Sequence, residues 1–148
     1  METISHSIEI DASAEKIWEI LWNPTTYTEW TKHFGSEGGK YESDWEIGGK
    51  TLFLDASGEH GMVSTIESLN PPFEVVFKHL GTYENGVETI KGKEIDEWSG
   101  AQEKYFLTVL ADGSTKLQGD VQTMHDHAEH MKTGFEKGFE LVKELSEK

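Results

Sequence analysis

The clearest pattern of hydrophobic and polar positions lies near the end of the chain, between residues 124 and 145. Apolar residues recur there at intervals of three and four, the spacing of one face of a helix. They are Met124, Ala128, Met131, Phe135, Phe139, Val142 and Leu145. Charged residues fill most of the positions between them. The pattern predicts one long amphipathic helix whose apolar face must be buried against the rest of the chain.

The start of the chain has a different period. Over residues 3–10 every second side chain is apolar or histidine, on a face made by Ile4, His6, Ile8 and Ile10. Alternation of this kind indicates a half-buried strand. Ser13 can then cap a helix that runs to about Trp22. Pro24 can open a second short helix that reaches Trp30.

The middle of the chain consists of short strand-like stretches separated by turn residues. We predict strands at 40–45, 50–56, 60–69, 73–80, 103–111 and 114–122. Consecutive strands joined by short turns should form an antiparallel meander, and one long helix packed across it gives an α+β fold. Curvature of the sheet around the helix would leave a space between them. The segment 81–102 is open to three interpretations: a lid, an extra strand or a plain loop.

Composition limits the function. The 148 residues fit a single domain, 1–148, and include 28 acidic side chains, 13 lysines, no arginine and no cysteine, for a net charge of −15. That charge repels phosphate backbones and anionic membrane surfaces. We therefore expect no nucleic-acid partner, no membrane insertion and no tight recognition of a phosphorylated ligand. The absence of cysteine and of a long apolar run favours a cytoplasmic location.

Five blocks of sequence, in order along nearly the whole chain, resemble the START-like superfamily, also called SRPBCC. They are 16–21 with Asn23-Pro24 and Trp30; 47–53; Gly61 through Ile66 to Pro71-Pro72; 112–117; and Gly134-Phe135 with Leu141 and Leu145. Within the superfamily, the chain is most similar to homologues of the activator of heat-shock-protein-90 ATPase. Two features depart from the family pattern: Phe135 stands where tryptophan is usual, and 81–102 is longer than expected.

The resemblance implies a helix-grip fold. In that fold a curved antiparallel sheet of about seven strands grips one long C-terminal helix, and two short helices follow the first strand. It also implies three possible functions, because the superfamily includes ligand carriers, cyclase-type enzymes and co-chaperone domains. The leading hypothesis is binding of a small apolar or amphipathic molecule between sheet and helix. The alternatives are a surface that binds a protein partner, possibly a chaperone, and a cyclase or hydrolase that uses a cavity histidine.

The candidate ligand-binding residues are the large aromatic side chains and the histidines predicted to face the sheet–helix space. They are Trp30, Trp45, Phe53, Phe77, His79, Trp98, Tyr105, Met131, Phe135 and His6. Aromatic side chains are equally suited to filling a core, so each could be structural instead. Trp98 differs, because it stands in an otherwise polar segment and calls for a partner surface.

Three histidines at the start of the long helix, His125, His127 and His130, raise the question of a metal site. Asp126 and His130 would share a helix face, but no further ligand motif completes a set, which favours a solvated helix start. No Ser/His/Asp pattern is visible, so no catalytic residue, cofactor or metal is predicted. Gly134 and Gly138 lie inside the helix, where glycine is unfavourable. They predict either close approach of the helix to the sheet or room for a ligand.

Overall fold

The computed structural model describes residues 1–34 and 37–148. Its first part contains β1 (Glu2–Ile10), α1 (Ala14–Trp22), α2 (Pro24–Thr31) and a 3-10 turn (Lys32–Phe34). The middle part contains β2 (Lys40–Ser43), β3 (Thr51–Leu54), β4 (His60–Asn70), β5 (Glu74–Glu84), β6 (Val87–Thr89) and the one-turn helix α3 (Lys93–Asp96). The last part contains β7 (Gln102–Val109), β8 (Thr115–Thr123), a 3-10 turn (His125–His127) and α4 (Ala128–Ser146).

The strands form one sheet in the order β1-β8-β7-β5-β4-β3-β2, and β6 pairs with β5 beside this path. Every pair of neighbouring strands is antiparallel. The long helix α4 packs against β1, β8, α1 and α2. The α+β helix-grip fold expected from the sequence is confirmed, with seven strands along the main path and β6 as an eighth.

The two short helices begin and end where their capping residues require. Ser13 accepts a hydrogen bond from the backbone N–H of Lys16 at 3.1 Å, which satisfies one of the free donors at the start of α1. Asn23 ends α1, and its side chain accepts from the N–H of Thr25 to cap α2. Pro24 occupies the first turn of α2, where its missing N–H costs nothing.

The long helix starts later than its apolar pattern predicted. Residues 125–127 form the 3-10 turn, and regular α-helix begins at Ala128. From there the predicted face is buried: Phe139 and Val142 are 0% exposed and Phe135 is 1% exposed. The helix continues to Ser146, one residue beyond the predicted end.

Glycines set how closely α4 approaches its neighbours. A Cβ on Gly138 would lie 2.8 Å from the carbonyl oxygen of Trp30, and one on Gly134 would lie 2.5 Å from the ring of Phe34. The two helix glycines therefore allow α2 and the 3-10 turn that follows it to pack closely against α4. The sequence had suggested that the sheet or a ligand would approach the helix at these glycines. Contact with the sheet depends instead on Gly119 of β8, whose Cβ would lie 2.8 Å from the ring of Phe139.

The segment 81–102 contains regular structure. The strand β5 continues to Glu84, four residues beyond its predicted end, and turns back at Asn85 and Gly86 into β6. After β6 the chain forms α3, which buries Ile95. An extra strand is thus the correct interpretation for the start of this segment. Among the described residues, no helix is long and apolar enough to cross a membrane.

Candidate functional site

Two adjoining chambers lie between the sheet and α4. The first has a volume of about 400 Å³ and is bordered by α2, β3, β7 and α4. Its walls are mainly aromatic and apolar, with Tyr27, Trp30, Phe53, Tyr105 and Phe135 the largest side chains. All five belong to the buried hydrophobic core and are at most 9% exposed, so core side chains form the walls of this chamber.

The second chamber has a volume of about 320 Å³ and lies nearer the start of α4. Its lining combines apolar side chains of β8 and the following turn with His79, Trp98, His127 and His130. Trp98 stands just after α3 and is half-buried. The segment 81–102 therefore contributes directly to the wall of this chamber.

Three residues line both chambers: Met62 of β4, Glu103 of β7 and Met131 of α4. The two methionines are half-buried, and Glu103 has 15% of its side chain exposed. Methionine is unbranched and changes rotamer readily. The partition between the chambers is thus formed by two flexible apolar side chains beside one carboxylate.

A chain of polar contacts runs through the sheet beside this partition. The Oγ of Ser64 lies 2.7 Å from Nδ1 of His79, and Nε2 of His79 lies 3.3 Å from Oε1 of Glu103. The hydroxyl of Tyr105 donates to the other carboxylate oxygen of Glu103 at 2.5 Å. Either atom of the contact between Ser64 and His79 can be the donor, because the role of Nδ1 depends on the tautomer of the ring. We call Ser64, His79, Glu103 and Tyr105 the polar chain.

Strand register explains how the polar chain assembles. Ser64 and His79 are direct partners on β4 and β5, next to a register shift between Val63 and Ser64. Shifts of this kind re-aim side chains within a ladder. Glu103 and Tyr105 are two apart on β7, which pairs with β5, so both side chains face the same side of the sheet.

The electrostatics of the first chamber are dominated by burial and by Glu103. Burial raises the pKa of Tyr105 well above its usual value, and the carboxylate of Glu103 adds to the effect. The pKa of Tyr27 is raised for the same two reasons, in the same order. No lysine is found among the described residues that line either chamber. An anionic group entering the first chamber would meet the carboxylates of Glu103 and Asp55, with no lysine in the described part of its lining to offset them.

The polar chain has the residue types of a Ser/His/acid arrangement, which the sequence did not reveal. Ser64 is 1% exposed and lines neither chamber. A nucleophile must reach a substrate atom, and this hydroxyl does not. Its contact with His79 instead fixes the ring, so that Nε2 is directed at Glu103. The chain thereby positions a carboxylate at the edge of the cavity.

Seven of the ten residues proposed from the sequence line the chambers. Trp30, Phe53, Tyr105 and Phe135 line the first, His79 and Trp98 line the second, and Met131 lines both. The other three line neither chamber. Phe77 is 1% exposed and packs edge-on against Phe53, His6 packs its ring 5.9 Å from that of Phe139, and Trp45 lies beside α1.

Sequence reasoning missed Met62, Tyr27 and Glu103. A signal for Glu103 existed, because the alternation that turns Tyr105 inward turns Glu103 inward as well. For Met62 no such signal stood out, since β4 contains apolar residues on both of its faces.

The three histidines near α4 have different surroundings. Nδ1 of His125 lies 2.7 Å from a carboxylate oxygen of Glu2, and Nε2 of His130 lies 2.5 Å from the carbonyl oxygen of Phe34. His127 lines the second chamber. Within residues 1–34 and 37–148, no group of three side chains is placed to hold a metal ion. The spacing of four between Asp126 and His130 does not place them on one face of α4, because Asp126 lies in the 3-10 turn before the helix.

Comparison with known proteins agrees with this architecture. A family model described as Activator of Hsp90 ATPase homolog 1-like protein matches residues 11–145, which confirms the resemblance drawn from the five sequence blocks. The Aha1 dimer from Colwellia psychrerythraea is 21% identical, with a TM-score of 0.71 over 99% of this chain and 97% of that chain. Protein MLL2253 from Mesorhizobium loti is 15% identical, with a TM-score of 0.70 over 97% and 96%. Protein CV1439 from Chromobacterium violaceum is 19% identical, with a TM-score of 0.66 over 100% and 99%. A search of curated proteins finds no match.

Proposed function

We propose that this chain, which belongs to the family of Activator of Hsp90 ATPase homolog 1-like proteins, binds a small, largely apolar molecule between its sheet and α4. The observation that carries the proposal is the pair of adjoining chambers, of about 400 and 320 Å³. Volumes in this range are typical of small-molecule sites. Binding would draw its free energy from apolar burial, at about 0.8 kcal/mol for each buried methylene.

The proposed ligand spans both chambers across the partition. Met62 and Met131 would turn aside as it enters, since neither is confined by full burial. Trp30, Phe53 and Phe135 would contact its apolar body in the first chamber, and Trp98 would contact the part that enters the second. His6, Phe77 and Trp45 would support these walls from behind and not touch the ligand.

Glu103 determines which polar group the ligand carries. Two of its interactions are taken by Tyr105 and His79, yet it lines both chambers and can accept a further hydrogen bond there. A hydroxyl or an amine on the ligand would donate to it. A carboxylate or phosphate would face like charge in a poorly solvated space, and is disfavoured.

A matched pair of probes tests the proposal: 1-decanol and decanoate, which share an alkyl chain and differ in the end group. Isothermal titration calorimetry should show decanol binding at least about tenfold more tightly, equivalent to about 1.4 kcal/mol. In Glu103→Gln, which keeps the shape and removes the charge, the preference should shrink. Equal or tighter binding of decanoate to the unaltered protein would overturn the proposed selectivity.

The site itself is tested by filling the partition. Met131→Trp should weaken decanol binding at least about tenfold, because the larger ring occupies space in both chambers. Lys132→Trp places the same ring one residue away at an exposed position of α4, and should leave binding unchanged. Native mass spectrometry of freshly purified protein adds a direct search for a co-purified apolar molecule. Unchanged decanol binding in Met131→Trp would contradict this site.

A second function is favoured by the family description and by the similarity to the Aha1 dimer: action on a chaperone through the protein surface. Met131→Trp, which alters the interior, should then leave the partner interaction intact. The measurement is the ATPase rate of the Hsp90 of the same organism with and without the purified chain. No change in that rate at saturating concentrations would remove this candidate.

A further inference from the structure

A third cavity, of about 430 Å³, lies beside the end of α1 and shares no lining residue with the two chambers. Its largest side chains are Trp18, Trp22, Tyr41 and Trp45. We call it the tryptophan pocket. Three of the five tryptophans of the chain are gathered here: Trp18 and Trp22 lie on α1 and Trp45 in the loop that follows β2, while β2 contributes Tyr41.

The indole rings are arranged around one another without stacking. Their centroids form a triangle with sides of 6.1 Å (Trp18 to Trp22), 6.2 Å (Trp18 to Trp45) and 5.5 Å (Trp22 to Trp45). The ring planes are inclined by 52° to 71°. Tyr41 adds a fourth ring, 5.9 Å from both Trp22 and Trp45. Trp18, Tyr41 and Trp45 are half-buried, so part of each ring is exposed in the recess, whereas Trp22 is 5% exposed and stacks on Tyr27 behind them.

The charge of the pocket has one sign. Glu19 is the lining carboxylate, and no lysine is present among the described residues that line the pocket. Its carboxylate accepts a hydrogen bond from the side chain of Asn23 at 3.2 Å, which holds it at the rim. The faces of tryptophan and tyrosine carry negative electrostatic potential and attract cations. Ring faces and carboxylate therefore favour the same kind of guest.

The backbone at Trp45 is held in an unfavourable conformation. Its φ of 54° lies in the left-handed region, which bulky residues rarely adopt. The N–H of Trp45 donates to Oγ of Ser43 at 3.0 Å, a contact that fixes this turn. The indole is only half-buried, so its packing offsets only part of the conformational cost at this residue. Strain held in place by its surroundings is a feature of binding sites.

We propose that the tryptophan pocket binds an alkylated ammonium group, such as a trimethylammonium group. The methyl groups would contact the rings of Trp18, Trp45 and Tyr41, and the positive charge would lie near Glu19. This site is independent of the two chambers, and neither the family match nor the apolar ligand proposed above requires it.

Choline and its neutral isostere 3,3-dimethyl-1-butanol separate cation binding from apolar burial. They have the same shape, with carbon in place of the charged nitrogen. Titration calorimetry at low ionic strength should show choline binding about 5-fold to 30-fold more tightly, which corresponds to about 1–2 kcal/mol of cation–π attraction. Equal affinity for the two compounds would overturn the proposal. So would the absence of choline binding at up to about a hundredfold molar excess over the protein.

Two variants locate the site. Trp18→Leu should reduce choline affinity at least about fivefold, because it removes one aromatic wall. Glu19→Gln should reduce it by a smaller factor, since the carboxylate is exposed and screened. Glu15→Gln makes the same charge change one turn earlier on α1, outside the pocket, and should have no effect. Choline affinity unchanged in Trp18→Leu, with the fold verified by circular dichroism, would contradict the assignment.

Two sources could supply such a group, a free small molecule or a methylated lysine of a protein. A peptide with one trimethyl-lysine, tested beside the same peptide with unmodified lysine, distinguishes them. Tighter binding of the trimethylated peptide than of choline supports the protein source, and the reverse supports the free molecule. Failure of both probes overturns the proposal and leaves the decanol results unaffected.

Discussion

The two halves of α4 meet the body of the protein in different ways, although one apolar pattern runs through both. In the second half, Phe139 and Val142 are 0% exposed, and Phe139 packs against Gly119 and the ring of Trp30. In the first half, Met131 is half-buried and borders two chambers. The same hydrophobic spacing thus produces a filled interior at one end and an open one at the other.

The difference comes from what lies opposite each side chain. A ring that faces a glycine enters the space left by the missing side chain and closes it, as Phe139 does at Gly119. Met131, by contrast, lines open space on two sides together with Met62 and Glu103. Hydrophobic periodicity therefore identifies the face of a helix that is buried, and the partners decide whether the space beneath it is filled.

The largest expected effect is the loss of stability when a side chain at the filled end of α4 is removed. Phe139→Ala should lower the free energy of unfolding by about 3–5 kcal/mol, because it removes a fully buried ring and leaves a void. Met131→Ala should cost only about 1 kcal/mol, since that side chain is half-buried beside space that already exists. Urea unfolding followed by circular dichroism measures both. Similar losses for the two variants would contradict the contrast between the ends of α4.

A smaller effect should follow from filling the glycine space. Gly119→Ala places a Cβ 2.8 Å from the ring of Phe139 and 3.0 Å from that of Phe135, and overpacking of this kind costs about 1–3 kcal/mol. The same change in a Phe139→Leu background should cost less, because the clashing ring is gone. A double-mutant cycle measures the coupling directly. Additive losses would show that the ring and the glycine do not interlock.

The smallest expected effect concerns the open end, where Tyr105 lines the first chamber, and it is a loss of folding stability at alkaline pH. Burial, assisted by Glu103, raises the pKa of Tyr105 above its ordinary value of 10.0. Above pH 10 the unfolded chain therefore releases a proton that the folded protein keeps, and stability falls by up to about 1.4 kcal/mol for each pH unit. Below pH 10 this contribution is fully present. Denaturant unfolding at pH 9 and pH 11 should show a smaller loss for Tyr105→Phe than for the unaltered protein. An equal loss in both would contradict this origin of the pH dependence.

Most of the fold could be predicted from the sequence, because its signals are local. The cap at Ser13, the break at Asn23-Pro24 and the spacing along α4 depend on neighbouring residues, and each is confirmed. Boundaries failed where a local pattern was overridden. The 3-10 turn replaced the first turn of α4, and β5 lengthened because pairing with β6 extended it.

The polar chain could not be predicted, because its members meet through pairing between distant strands. His79 and Glu103 are neighbours only because the chain returns to β5 as β7 after an excursion through β6 and α3. The sequence shows two polar residues on two strands, and nothing in their spacing reveals that those strands are adjacent. The tryptophan pocket could not be predicted either, because it depends on how the loop after β2 packs against α1. Trp45 looked like part of a strand but lies in the loop beyond it, in a left-handed turn.

The position of β1 in the sheet also sets the order in which the protein can fold. The strand pairs with β8 from Glu2↔Thr123 to Ile10↔Thr115, so β1 must wait for a partner that is synthesised more than 100 residues later. Contacts of such long sequence separation slow folding, since the entropy of closing a large loop is lost before the contacts can stabilise the chain. Local hairpins such as β4–β5 can form at once. A growing chain should therefore hold β1, with its apolar face, unpaired until β8 has been synthesised, and that interval is when it is most exposed to aggregation.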